Sequence, residues 1–428
     1  MVRLEGGRVL ASLVRQLGDW SLAQDAVQEA SLAALETWPA RGMPDEPRAW
    51  LIATARRKAV DMLRRERARG DKERDGVALV DQRRRDEPAE GDPSGLPAGL
   101  EDDLLRLLFT CCHPSLAPEA RLALALRTLC QLSVAQVAAV LLTTETAMAR
   151  RLGRTRQKIT AARIPYRVPA AEELPERLGA VCGVVHATYT AGHAPLVGDA
   201  LVDVDLCAEA VRLARLLVAT FPDEPAPTSV LALLLLTEAR RPARADADGE
   251  VVLLPDQDRG RWDSALVVEG AALLATSLRR SGGVADPYQL QAAVALEHDR
   301  APSYAATDWA EIVRLYDLLV SVAPSPAASL ARAVALAERD GPEAGLAALD
   351  GLGGSHDARV RGVRGELLAR TGRRAEAAQA VEPRADDELT APERRFRERR
   401  VRAWRALAGE GAGGQEQPGQ PPRMSARS

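Results

Sequence analysis

Aromatic residues are scarce in this chain, at 3% of 428 positions. The apolar load falls on Leu, Ala and Val, and most of the charge on Arg and Glu. Ala, Leu, Arg and Glu favour helix, whereas a sheet protein would lean on aromatic and β-branched residues. An all-α protein is therefore expected. Cysteine is sparse too: Cys111, Cys112, Cys130, Cys182 and Cys207 form no CxxC pair and no disulfide-like framework. The N-terminus has no apolar signal region, and the most apolar stretch, Val230 to Thr237, is far too short to span a bilayer. These absences lead us to expect a soluble protein of a reducing cytoplasm, with no membrane partner. No glycine loop of the nucleotide-binding kind and no nucleophile motif occurs. Cys111-Cys112-His113 lacks a second ligand pair at zinc-like spacing, and Asp246-Ala247-Asp248-Gly249-Glu250 lacks the order of a calcium loop and reads as a polar turn. His186 and His193 have no carboxylate or cysteine partner in the pattern. The expectation is a protein that is not an enzyme and carries neither cofactor nor metal.

The net charge of −3 hides a marked asymmetry. From Arg48 to Arg74 there are ten Lys/Arg against four Asp/Glu, and from Thr144 to Val168 seven against one. Two basic segments in an acidic chain are local features of the kind that bind nucleic acid, although most charge runs are merely solvated helix faces. Both segments read as helices. Ser21 with Gln24 has the capping-box spacing, and the helix that follows, through Ala26, Ala30 and Ala34, is predicted to end at Trp38-Pro39. Pro47 suits the first turn of a second helix, in which Leu51, Ala55, Ala59, Met62 and Leu63 share one face, with Arg57, Lys58, Arg64 and Arg65 mostly off it. On spacing, the ring of Trp50 is expected in the core. Further on, Ser133 with Gln136 is another capping box, opening a helix whose inner face is Val134, Val137, Ala138 and Leu141. After a break at Leu142-Thr143, Thr144 is the expected N-cap of a longer helix with Met148, Leu152 and Ile159 inward. Its outward Thr146, Arg150 and Arg154 are spaced four apart, with Arg151 beside them. A short helix, a turn and a basic helix is the helix-turn-helix pattern, whose second helix reads base edges in the major groove. An ordinary helical hairpin reads the same way.

Six segments follow from the pattern: a helical domain at 1–75, a Pro/Gly-rich flexible linker at 76–100, a helix-turn-helix domain at 101–168, a helical extension at 169–322, helical hairpins at 323–408 and a disordered Gly/Pro/Gln/Ser-rich tail at 409–428. Within the extension, Asp205–Ala219, Val230–Arg240, Asp263–Arg280, Pro287–Asp299 and Thr307–Val322 are predicted helices, while Arg244 to Trp262 is a polar loop interrupted by the apolar run Val251 to Leu254. Beyond Pro324, the run ending in Gly341 resembles the run ending in Gly372, a period of 31 that reads as tetratricopeptide-like.

The order of these parts resembles a bacterial RNA polymerase sigma factor of the sigma-70 type, in the extracytoplasmic-function group. The residues that carry this are Asp25-Ala26-Val27-Gln28-Glu29-Ala30 and Pro47-Arg48-Ala49-Trp50-Leu51 through Arg64, similar to region two, and Leu132-Ser133 through Ile159, similar to region four. Beyond residue 168, Asp205 to Ala210, Ala239 to Arg244, Asp256 to Arg259, Tyr288 to Ala293 and Thr307 to Trp309 resemble the long extension of one subgroup. By the same resemblance the chain begins a few residues into the family's first helix, and Val184 to Tyr189 replaces a more aromatic stretch. The resemblance implies two partners, promoter DNA and core RNA polymerase, with a regulatory protein or ligand at the C-terminal helical domain. Asp25, Gln28 and Glu29 would contact the polymerase; Arg56, Arg57, Lys58, Asp61 and Arg64 would read and open the downstream element; Thr146, Arg150, Arg151 and Arg154 would read the upstream one. The alternative is a conventional helix-turn-helix regulator with a tetratricopeptide-like sensor domain, which has no need of the first basic helix.

Overall fold

The computed structural model describes residues 2–69, 100–162, 164, 166–170, 172–282, 285–352 and 357–413. Among these are eighteen α-helices and no β-strand, only an isolated bridge between Ala245 and Val251. The chain divides into two compact units, Met1–Ala194 with Asp203–Pro222, and Pro195–Val202 with Asp223–Ser428. Apart from Leu100, which opens a helix, the expected linker lies outside the described residues, as does the tail beyond Gly413.

The first unit opens with α1 (Val2–Leu17), α2 (Trp20–Arg41) and α3 (Pro47–Arg69). The start of α2 differs from the sequence expectation. Asp19 is the N-cap, its side chain accepting from the Leu22 N–H at 3.0 Å, so Ser21 falls inside the helix and Gln24 is buried. An Asp at this position has the same capping chemistry as Ser, two residues earlier. Nor does Pro39 end the helix; α2 runs to Arg41, and Gly42 closes it with its N–H on the Trp38 carbonyl at 3.0 Å. Pro39 has no N–H to give the Leu35 carbonyl, and one lost backbone bond two residues before the helix end is tolerable.

The same unit continues with α4 (Leu100–Cys111), α5 (Pro118–Thr128), α6 (Val134–Val140) and α7 (Glu145–Ala161). The Ser133–Gln136 capping box forms reciprocally at 2.8 and 3.1 Å, and Thr144 caps α7 through the Ala147 N–H at 3.2 Å. Leu142, at φ 51°, makes the turn between them. Two further helices, α8 (Leu174–His193) and α9 (Val204–Thr220), complete this unit. Helix α1 packs on α4 as well as on α2 and α3, tying the first basic helix and the helix-turn-helix into one body. At that junction Arg15 Nε meets the buried Asp103 at 3.0 Å, and the Tyr166 hydroxyl lies 2.8 Å from the Ala11 carbonyl and 3.0 Å from that of Asp103. All five cysteines are buried here, and burial pushes the Cys111 thiol up to about 12.

The second unit centres on α10 (Pro225–Ala239), whose run from Pro227 to Leu236 is buried on every face, as an interior helix must be. Around and after it come α11 (Ser264–Arg280), α12 (Pro287–Arg300) and α13 (Trp309–Val322), capped by Asp263, Asp286 and Asp308. Then α14 (Pro326–Asp340) turns through Gly341 into α15 (Pro342–Asp350), and α16 (Ala358–Arg370) through Gly372 into α17 (Arg374–Val381). Helix α18 (Ala391–Gly413) follows, running past Gly409, with Val401 and Trp404 buried against the α14–α17 hairpins. Between α10 and α11 the polar loop makes three short 3₁₀ turns, Arg241–Ala243, Leu254–Asp256 and Arg259–Arg261. Asp246 Oδ1 accepts from the N–H groups of Asp248 and Glu250, the polar turn expected there.

Candidate nucleic-acid and polymerase interface

In α3 the sequence pattern sorts into two faces. Leu51, Ile52, Ala55 and Ala59 are buried, Met62 and Leu63 half-buried, while Arg56, Arg57, Asp61, Arg64 and Arg65 are exposed. Burial of one Leu side chain contributes about 1.5–3 kcal/mol, so this stripe fixes which way the cations point. Several of those cations already have partners within the unit. Arg56 Nε donates to Gln16 at 2.6 Å, Arg57 Nη2 to the Thr54 hydroxyl at 3.2 Å, and Lys58 pairs with Glu29 at 3.2 Å. Arg64 and Asp61 stand 3.9 Å apart, both well exposed. Trp50 is half-buried, edge-on to Trp38 at 5.5 Å, and so braces α3 against the end of α2.

On α2, Asp25 and Gln28 are exposed and Glu29 is half-exposed in its ion pair with Lys58. The same face holds two residues that the sequence reading passed over. Leu32 is 54% and Leu35 63% exposed, and with Gln28 they follow helical i, i+4, i+7 spacing. Exposed leucines grouped beside carboxylates mark a protein-docking face better than single apolar residues do. Asp25 also exerts a favourable field on Arg127 and Arg156 of the helix-turn-helix, which burial pulls down from the usual guanidinium range.

In α7, Met148, Leu152 and Thr155 are buried and Ile159 is half-buried, so the helix lies on its apolar stripe as expected. Thr146, Arg150 and Arg154 are exposed and Arg151 half-buried. Four-residue spacing puts the three exposed residues in one row, and no ion pair or side-chain hydrogen bond engages Arg150 or Arg154 among the described residues. The C-terminal half of α7 is used differently: Arg156, Ile159 and Thr160 line a cavity of ≈ 330 Å³ with Trp20 and Tyr166. The structure therefore places all twelve residues singled out from the sequence in one unit, as three separate helical surfaces on α2, α3 and α7. Among the described residues no helix is long and apolar enough to cross a membrane.

Comparison with known proteins gives three family matches: Sigma-70 region 2 over residues 1–69, Sigma-70 region 4 over residues 106–159, and a family of unknown function (DUF6596) over residues 177–278. An uncharacterized protein of Rhizobium meliloti (strain 1021) is 41% identical over 378 residues, covering 88% of each chain. No solved structure matches the chain.

Proposed function

The chain belongs to the sigma-70 family, with a role in promoter recognition, and on that premise we propose that it is a sigma factor of the extracytoplasmic-function group. It binds core RNA polymerase in the cytoplasm and directs promoter-specific initiation. The observation that carries the proposal is the exposed row Thr146, Arg150 and Arg154 on a helix whose opposite face is buried and whose N-terminus is capped. Arg side chains in such a row suit guanine edges and phosphates, and the Thr suits base edges or backbone near the N-terminus. Arg151, at the flank, suits phosphate. Helix α3 is assigned to the downstream element: Arg56, Arg57, Lys58 and Arg64 hold phosphates, and Asp61 lies in their midst. Capture of unstacked bases there offsets a cost of a few kcal/mol for unpairing the duplex. On α2, the carboxylates of Asp25 and Glu29, with Gln28, suit a basic surface on the polymerase, and Leu32 and Leu35 add the apolar centre that such an interface needs. The second unit, with its tetratricopeptide-like hairpins at 323–408, is a regulatory or interaction module.

Run-off transcription with the full chain and core polymerase tests the proposal. Promoter-specific transcripts are expected, and failure to co-purify with core polymerase overturns it. A helix-turn-helix regulator with a sensor domain would instead bind its operator without polymerase. Truncation after Pro222 keeps the helices of the first unit and removes α10–α18, so its transcript yield reads whether the second unit activates or restrains.

A further inference from the structure

A cavity of ≈ 560 Å³ lies inside the second unit, walled by the end of the apolar run Val251–Leu254 and by α12, α13, α14, α16 and α18. None of the roles above uses it. Sites for small organic molecules span roughly 300–1,000 Å³ and combine a mostly apolar wall with a few placed polar groups. The wall here has that composition. Leu253, Ile312, Tyr316, Val334, Val363 and Phe396 form an apolar chamber.

Its polar groups are unequally engaged. The three carboxylates on the wall are already occupied: Glu338 is paired with Arg370, Glu366 with Arg400 at 3.0 Å, and Glu393 accepts from the N–H and hydroxyl of Thr390 at 2.9 and 2.8 Å. Four arginines face them: Arg359, Arg370, Arg397 and Arg400. Arg397 is only 9% exposed; its Nη2 donates to the Ala358 carbonyl at 2.7 Å, while its Nη1 is buried with no hydrogen-bond partner. Among the carboxylates whose field favours its charge, Asp387, Glu393 and Asp357, the strongest is Asp387, which is committed to the buried Arg361 and to the backbone N–H of Arg384. In the same lining, His298 is likewise 9% exposed with Nδ1 unpartnered. Burial pulls this imidazole down to about 3, so it is a neutral hydrogen-bonding group. A buried guanidinium donor without an acceptor is unfavourable unless a ligand supplies one, and the strongest acceptor for it is an anion.

We propose that this cavity binds an apolar organic acid, a small molecule whose hydrocarbon or aromatic body fills the chamber and whose single carboxylate takes the free N–H of Arg397. The inference goes beyond promoter recognition and does not depend on it. The excess of arginine over carboxylate disfavours a cationic ligand, and the apolar wall disfavours a sugar or a nucleotide, whose polar groups would be left without partners.

Isothermal titration calorimetry of the full chain tests this with three probes: decanoate, 1-naphthoate and the uncharged decan-1-ol. Both acids are expected to bind one-to-one, with decan-1-ol about tenfold or more weaker, the size of one charge-assisted hydrogen bond. Arg397→Gln should lower acid affinity by about tenfold and decan-1-ol affinity by clearly less, and Arg397→Lys should recover part of the loss. Val334→Trp, which fills the chamber from α14, should abolish binding of all three and decides the matter if Arg397→Gln fails to fold. Absence of saturable binding by both acids, equal affinity for acid and alcohol, or acid binding that survives the filled chamber overturns the proposal. None of these outcomes touches the run-off experiment, so the two readings fail separately.

Discussion

Gly7→Ala probes the contact that joins the two DNA-binding modules. A Cβ at this position in α1 would sit 2.7 Å from the Leu129 carbonyl oxygen and 3.4 Å from its Cα. Carbon–oxygen contacts settle at about 3.3–3.6 Å, so the backbones must part by roughly 0.6 Å. Leu129 cannot simply yield, because its own N–H is bound to the Ala125 carbonyl at 2.8 Å at the end of α5. Overpacking of this kind costs about 1–3 kcal/mol, against a gain of about 0.8–1 kcal/mol from replacing Gly by Ala in a helix, for a net loss of about 0–2 kcal/mol. Gly179→Ala on α8 is the control, since its Cβ meets nothing within 4 Å and keeps the full propensity gain. The helix gain cancels between the two variants, and their difference isolates the steric cost at about 1–3 kcal/mol. All five cysteines are buried in this unit, so pulsed thiol labelling along a urea gradient reads its unfolding apart from that of the second unit. Gly179→Ala should raise the midpoint and Gly7→Ala should not. Equal upward shifts would refute the close approach of α1 to Leu129.

Arg150→Ala should weaken promoter binding by about 1–3 kcal/mol and relax sequence preference at one position, measured by footprinting across operator variants; a uniform loss with a lower salt slope would reassign Arg150 to a phosphate. Leu35→Asp, at a side chain 63% exposed, should reduce co-purification with core polymerase while leaving the unfolding midpoint within about 0.5 kcal/mol of the parent; unchanged association removes that leucine from the docking face. In the second unit two neighbouring groups act oppositely on pH. Burial raises Asp299 to about 6, so its stabilising contribution belongs to the protonated form and is lost as pH rises through 6; burial lowers His298 to about 3, so its contribution is present above 6.5 and is lost as pH falls. Asp299→Asn removes the first effect and should lose stability more steeply than the parent between pH 6 and pH 4 in thermal melts; parallel slopes would count against the assignment.

Helix starts are legible in the sequence because their chemistry is local. Ser133, Thr144, Asp263 and Asp286 each bind an N–H two or three residues ahead, and nothing beyond that span is needed to see it. The exception has the same cause: Asp19 and Ser21 both offer a capping oxygen, and only packing, which buries Ala23, Ala26 and Ala30, selects the earlier start. Partnership between helices is not local. The apolar faces of α1 and α8 are built of Leu, Val and Ala, which pack against any similar face, and nothing in those residue types indicates that α1 meets α4 or that α8 and α9 join the first unit. The small residue at Gly7 marks such a junction, yet a helical Gly is ambiguous until its neighbour is known.

The candidate surfaces divide along the same line. Arg150 and Arg154 stood out because cations recurring at i and i+4, off a buried stripe, have few uses in a folded core. Leu32 and Leu35 did not, because a leucine on a helix reads as core unless its surroundings are known, and in α2 the core is satisfied by small alanines on the other face. The ion pair of Glu29 with Lys58 was equally hidden. It joins a residue assigned to polymerase with one assigned to DNA, so charge and spacing alone would count both as free. That pairing ties the two surfaces physically: on the proposed assignments, a partner that draws Glu29 away would release Lys58 for phosphate. The Lys58–Glu29 pair, half-exposed, contributes about 0–1 kcal/mol, small enough for an incoming interface to displace. Glu29→Gln should therefore leave stability nearly unchanged. If release matters, it should raise the affinity of the full chain for single-stranded downstream DNA in the absence of polymerase, and an unaltered affinity in filter binding would show that Lys58 is available in either state.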